Sequence, residues 1–355
     1  MNFFKGKKVF ITGHTGFKGT WLSKMLVNAG AEVTGYSLIP PTKPSLFVIC
    51  EIEKEMRSII GDIRDLESLE KAFNIAQPEI VIHLAAQPLV RVSFTDPRYT
   101  YETNVMGTVN ILECVRNHNC VKSFLNITTD KVYQNNEWVW GYRENDQLDG
   151  FDPYSNSKSC SELVTHSYKK SFFSDKSVAI STARAGNVLG GGDFAKDRII
   201  PDCIRATENK ADIIVRNPHS IRPYQHVLEP LYAYLLIVQK QYEDIKYADY
   251  YNVGPDEKDC ITTGRLVEMF CNKWEAATGK KQVWINKYDG GPHEANFLKL
   301  DCSKLKAVFG WNPRWNVETA IERTVEMTKI YFESGNIAKI MDKQIDEFLG
   351  GTIYV

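Results

Sequence analysis

The sequence has almost no net charge: 43 lysines and arginines stand against 44 aspartates and glutamates, a formal balance of -1. A chain without a basic field has no electrostatic means of holding a nucleic-acid backbone or an anionic membrane surface. Neither is an expected partner, and any anionic ligand must be gripped locally. Long apolar runs are also missing. The most apolar stretch, 231–238, is too short to span a bilayer, and residues 1–8 run into a strand-like segment without the apolar core of a signal peptide. The cytoplasm is therefore the expected compartment. The eight cysteines, at 50, 114, 120, 160, 203, 260, 271 and 302, form no C-x-x-C pair and stand at no zinc-ligand spacing. They are expected as reduced thiols filling core positions, with no metal. Internal repeats and low-complexity tracts are absent as well.

What is present is the composition of an ordinary globular protein, 43% hydrophobic and 25% charged. Its 355 residues exceed what one core supports, so a large domain plus a smaller one, with a cleft between them, is expected. In the first half, strand-like runs alternate with helix-like segments. Val9-Phe10-Ile11 precedes a glycine-rich turn and an amphipathic stretch over 19–29; strands then come at 32–36, 56–60, 80–84 and 123–127, with a helical run between the last two. Such alternation forces parallel strands with helical crossovers, an α/β doubly wound sheet of Rossmann type, which 178–183 would extend. Beyond it, Gly190-Gly191-Gly192, Pro201, Pro218 and Pro223 punctuate irregular chain, and a smaller, mainly α lobe begins. In this later half, 226–241 reads as a helix and 250–253 as a strand. The expected organisation is a dinucleotide-binding domain over 1–188, to which 226–255 returns, and a substrate domain made of 189–225 and 256–355.

Gly13-His14-Thr15-Gly16-Phe17-Lys18-Gly19 follows the first strand and opens a helix. Glycines at this spacing let backbone approach a pyrophosphate and aim helix N-terminal N–H groups at it. The bland alternative is a plain strand-to-helix turn. Asp62, after another strand, is placed either to accept from adenine or to serve as an exposed turn residue. The acid that reads the adenosine ribose is missing, since none stands between Glu32 and Glu51, which leaves NAD against NADP open. Tyr154 and Lys158 stand four residues apart, on one helix face, where the ammonium would lower the phenol pKa and let it take a proton from an alcohol. Thr128-Thr129-Asp130-Lys131 follows the strand 123–127, at the carboxyl edge where such sheets bind ligands.

On these residues the sequence resembles the extended short-chain dehydrogenase/reductase family and, within it, the nucleotide-sugar 4,6-dehydratases. The likeness also covers Leu84-Ala85-Ala86-Gln87, Asn104-Val105-Met106-Gly107-Thr108 and Arg184-Ala185-Gly186-Asn187-Val188. The words 86–91, 137–144, 221–230 and 298–301 resemble the branch whose glucose is carried on CDP. Where most relatives place glutamate after the aspartate, this chain has Lys131.

The resemblance implies NAD as cofactor, held by Gly13, His14, Gly16, Phe17, Lys18, Gly19, Asp62, Ile63, Leu84, Ala85, Ala86 and Asn104 with Tyr154 and Lys158. It implies that Tyr154 takes the 4-hydroxyl proton and that Thr129 hydrogen-bonds the oxygen. Lys131, as a neutral amine with its pKa lowered by burial or by Lys158 nearby, would deprotonate carbon 5, and Asp130, with a raised pKa, would protonate the departing 6-hydroxyl. A structural ammonium is the alternative for Lys131. Gln87, Arg91, Asn187, Arg198, Arg222 and His293 are implied as contacts to a nucleotide sugar, CDP-glucose being favoured, and Arg suits bidentate phosphate contact. Helices around 100–116 and 154–172 imply a homodimer or homotetramer. His83 is expected to be a satisfied core residue. A heptose or another nucleotide, an epimerase or reductase on the same scaffold, and a non-catalytic dinucleotide sensor remain open as alternatives.

Overall fold

The computed structural model describes residues 1–174, 178–288 and 297–350. Its centre is a sheet of seven strands: β1 (Lys8–Thr12), β2 (Glu32–Ser37), β3 (Arg57–Ile60), β4 (Ile80–His83), β5 (Ser123–Thr129), β6 (Ala179–Ala185) and a last strand at Tyr250–Val253. The order across it is β3-β2-β1-β4-β5-β6 followed by Tyr250–Val253, and every pairing is parallel. Winding reverses between β1 and β4, so a crevice opens beyond their carboxyl ends. The doubly wound α/β sheet is thus the architecture observed.

Strand residues alternate between two cores because the side-chain period is two. Val9, Ile11, Ile80, Ile82, Leu125 and Ile127 face one core, shared with helix α1 (Phe17–Asn28) and the helix Leu228–Glu243. Phe10, Val81, Phe124 and Ile180 face the other, under the helices Leu66–Ala76 and Gly107–Asn117. A third cluster, with Leu189, Ile204, Phe270, Trp274 and Ile321, forms the smaller lobe from the helices Ile199–Glu208, Thr263–Thr278 and Val317–Phe332. Among the described residues no helix is long and apolar enough to cross a membrane.

Four expectations need correction. The helix read from 226 begins at Leu228, because Gln225–His226 pairs with Val188–Leu189 as a short parallel ladder and Pro230 fits only a first helical turn. The run around 100–116 is broken: Pro97–Tyr101 passes through a π-helical turn, Glu102–Met106, before Gly107–Asn117. The later chain also carries short strands at Ile213–Val215, Ile221–Pro223, Cys260–Thr262 and Trp284–Asn286. Finally, the helix Ile337–Phe348 packs into the sheet's own core and not into the smaller lobe. Its stripe of Ile337, Ile340, Met341, Ile345 and Phe348 joins the α1 side, where Asn28 donates to Asp342 at 2.7 Å.

Candidate active site

β1 ends at Thr12, whose hydroxyl accepts from the backbone N–H groups of Leu84 and Ala85 at 3.1 Å each and lies 2.7 Å from His83 Nδ1. That clamp draws the turn after β1 against the turn after β4. Gly13 has φ +80°, and a Cβ there would stand 2.9 Å from the Ala85 nitrogen, so only glycine serves. A Cβ on Gly19 would run into the Gly13 carbonyl, which lets α1 rise directly from the turn. The first turn of α1 has no acidic residue, and Gly16 offers its N-terminus no side-chain cap. Free amides, bare backbone and the positive helix end make a cradle that fits a dinucleotide pyrophosphate. Leu84, Ala85 and Ala86 stand partly exposed across it.

His14 has a different part. It is buried, its Nε2 lies 2.7 Å from the Ser58 hydroxyl, its ring meets Phe47 at 5.2 Å, and it fills the space that Gly35 leaves. Burial lowers its pKa to about 4. It is a neutral strut beneath the cradle. Phe17 packs partly into the sheet core, and Ile63 is buried against Gly107, where a Cβ would not fit beside it. The Asp62 carboxylate receives the Arg64 backbone N–H at 2.9 Å and its guanidinium at 2.7 Å, which holds it below its usual range. No acid stands at the end of β2; Tyr36 is buried and Ser37 lies 2.8 Å from the Thr15 hydroxyl.

Asn104 and Gln87 are committed to each other. Asn104 accepts from the Gln87 N–H at 2.8 Å and donates to the Gln87 carbonyl and to Ser157, while the Gln87 amide bonds Leu89 and Thr100. Both side chains brace the loop after β4 from inside the protein, where the resemblance had implied ligand contacts.

At the carboxyl end of β5 the reactive groups converge. Lys158, buried on the helix Pro153–Phe172, donates to the Ile127 carbonyl at 3.0 Å, and burial lowers its pKa to about 8. Thr129 donates to Asp130 Oδ1 at 3.0 Å and stands beside the Tyr154 phenol. Burial raises the Asp130 carboxyl, against the opposing charges of Lys131, Arg222 and Lys18, and its Oδ2 is buried without a partner among the described residues. The direction is the one a proton donor needs. Tyr154 departs from expectation. Its phenol is pushed up to about 12 by burial, with the Thr129 hydrogen bond and the charge of Arg198 acting against that. Lys131 is half-buried, on the 3-10 turn Asp130–Val132.

The implied substrate contacts divide. Arg222 is buried with its charge acting on Asp130, and Arg198 bonds Asp193 at 3.0 Å while acting on Tyr154 and Lys18. Arg91 lies 3.8 Å from Asp197, next to Arg198 in sequence, and Asn187 is partly exposed just past β6, accepting from the Gln225 N–H at 3.1 Å. His293 lies outside the described residues. Sequence reasoning missed two groups. One is Thr12, signalled only as a polar strand end before a glycine. The other is Tyr234, fully buried on Leu228–Glu243, whose hydroxyl has no partner among the described residues and feels the charges of Tyr154 and Asp130; an apolar helix face gave no sign of it. His83 is a buried core residue, as expected, with burial lowering its pKa to about 3. All eight cysteines are free thiols, and no cluster of potential metal ligands occurs among the described residues.

Residues 10–324 match the family described as GDP-mannose 4,6 dehydratase. A curated relative, the CDP-glucose 4,6-dehydratase of Salmonella typhimurium, is 47% identical over 99% of this chain and 98% of its own length. The dTDP-glucose 4,6-dehydratase of Shigella flexneri is 26% identical over 90% of this chain and 92% of its own. Among solved structures, dTDP-glucose 4,6-dehydratase from Bacillus anthracis in complex with NAD superposes with a TM-score of 0.76 at 20% identity, covering 93% of this chain and 99% of that one. That likeness speaks for the fold.

Proposed function

The chain belongs to the GDP-mannose 4,6 dehydratase family, and from that premise we propose that it is an NAD-dependent CDP-glucose 4,6-dehydratase, a hydro-lyase that converts CDP-D-glucose to CDP-4-dehydro-6-deoxy-D-glucose and water. The observation that carries this reading is near full-length identity of 47% to a curated enzyme of that name. Thr129, Asp130, Lys131 and Tyr154 standing together at the end of β5 support it.

The hydrogen on carbon 5 of a hexose is not acidic until carbon 4 is a ketone, so oxidation must come first. Gly13, Gly16, Gly19 and the first turn of α1 would hold the NAD pyrophosphate, with Leu84, Ala85 and Ala86 along the crevice. When bound, NAD supplies reversible two-electron chemistry, taking up a hydride and giving one back, so no net redox occurs. Tyr154 accepts the 4-hydroxyl proton as carbon 4 is oxidised, and Thr129 holds the oxygen. Lys131 removes the proton from carbon 5, and Asp130 delivers one to the departing 6-hydroxyl. Arg198 and Arg222, with Arg91 and Asn187 nearby, grip the sugar's diphosphate in a protein with no global positive field.

On this reading 1–188 with 226–255 carries the dinucleotide, and 189–225 with the smaller lobe carries the sugar nucleotide. Free thiols throughout suit a reducing cytoplasm. Exposed Met106, Leu163 and Phe172 support a homodimer or homotetramer through the 100–117 and 153–172 helices, which gel filtration would test; monomer alone would overturn it. The function itself is tested with CDP-glucose carrying deuterium at carbon 4. Loss of water with the label on carbon 6 is expected; inversion at carbon 4 without water loss would mean an epimerase, and an unchanged sugar would end the enzymatic reading.

A further inference from the structure

Lys18 occupies an unfavourable place. It is the second residue of α1, where the positive end of the helix disfavours a cation, and the first turn contains no acid to offset it. It is partly buried, and among the described residues it has no hydrogen-bond or ion-pair partner. Three charged groups act on it: Arg198 and Lys158, which oppose its charge, and Asp130, which favours it. Lys158 and Asp130 both flank the end of β5, so the Lys18 ammonium lies in the catalytic crevice and not out along the pyrophosphate cradle alone. Asp130, the carboxylate whose charge favours the Lys18 ammonium, is itself driven toward its neutral form by burial. Of the three cations gathered there, Arg198 is paired with Asp193 and Lys158 is favoured in its charged form by Glu162, whereas Lys18 has no paired carboxylate among the described residues.

We propose that Lys18 sets the redox poise of the site: its ammonium favours the reduced, neutral nicotinamide over the oxidised, cationic one, and so promotes withdrawal of hydride from carbon 4. This rests on the proposed function. Hydride uptake lowers the ring's charge by one, and a fixed positive charge in the same low-dielectric crevice stabilises the less positive state. A contact to phosphate alone would tighten both redox forms equally, since their pyrophosphates are the same.

The test is calorimetric titration of purified protein, with any resident dinucleotide removed, against NAD and against NADH, for wild type, Lys18→Met and Lys18→Arg. Expected is a fall of about tenfold in the preference for NADH in Lys18→Met, equivalent to about 30 mV for a two-electron couple, with Lys18→Arg staying near wild type. An unchanged preference in Lys18→Met, including an equal loss of affinity for both forms, would overturn the proposal while leaving the dehydratase reading intact. A wild-type protein that binds neither form would overturn both. If Lys18→Met does not fold, Lys18→Gln answers the same question.

Discussion

The Lys158 ammonium donates to the carbonyl oxygen of Ile127 at 3.0 Å, two residues before Thr129 on the same strand. This bond ties the catalytic helix to the edge of the sheet that carries the acid and base candidates. Burial leaves the Tyr154 phenol high, at about 12, although Lys158 stands one helical turn away. One turn further along, Glu162 pairs with Arg184 at 3.0 Å in the same buried layer and favours the charged form of Lys158.

Tyr154→Phe removes only the hydroxyl, so the cavity is unchanged and stability should stay close to wild type. Turnover should fall by about 10²- to 10⁴-fold, the usual share of a general base, measured as CDP-glucose consumption alongside a melting curve. Turnover within a factor of two of wild type would remove the tyrosine from the mechanism.

Asp130 and Lys131 can be separated by where each acts on the sugar. Asp130→Asn keeps the buried volume but cannot deliver a proton, so water loss should fall by about 10²-fold or more while hydrogen at carbon 5 still exchanges with deuterated solvent. Lys131→Met should suppress both. Lys131→Glu, which restores a base, should recover carbon 5 exchange. Mass spectrometry of recovered sugar distinguishes these outcomes, and undiminished exchange in Lys131→Met would assign the base elsewhere.

The sheet was legible because parallel strands buried on both faces leave continuous apolar runs, as at 80–82 and 123–127, and because Gly13 and Gly19 stand where no Cβ fits. Thr129, Asp130 and Tyr154 were legible as polar groups at a strand's carboxyl end and on a helix beside it. What stayed hidden depends on tertiary neighbours. The stripe on Ile337–Phe348 does not say which core it enters, and the amides of Gln87 and Asn104 look like ligand contacts until their bonds to each other are seen. Whether Tyr154 is raised or lowered in pKa is decided by how deeply its ring sits against how close Lys158 comes, and spacing alone reports only the second.

Gly19→Ala places a methyl group against the Gly13 carbonyl, a backbone atom that cannot swing aside. Either α1 or the turn must move, and both form the cradle. The variant should bind NAD at least tenfold more weakly than wild type and melt at lower temperature. Gly16→Ala is the control for the melting temperature alone, since a Cβ there meets no protein atom closer than 3.5 Å and should cost the fold far less.

Stability should depend on pH in two opposed ways, and Glu229 isolates one of them. Fully buried, it accepts from the backbone N–H groups of Arg314 and Trp315 at 2.8 and 2.6 Å through one oxygen, the other has no partner among the described residues, and burial raises its pKa to about 7. Between the unfolded value of about 4.5 and about 7 the folded state holds the proton more tightly, so this group's contribution falls as pH rises through that window and is flat above it. The buried histidines His14, His83 and His226, with pKa values lowered to about 4, 3 and 3, act the other way. The unfolded chain takes up protons near the ordinary histidine value of about 6.5 and the folded one resists, so stability is lost as pH drops below that. Glu229→Gln keeps an oxygen for both backbone donors and removes the titration. Relative to wild type, the variant should therefore gain stability between about pH 5 and about pH 8, by up to about 3 kcal/mol, read as a growing difference in melting temperature. An offset between the two proteins that is the same at both pH values would mean that Glu229 does not carry its proton into the neutral range.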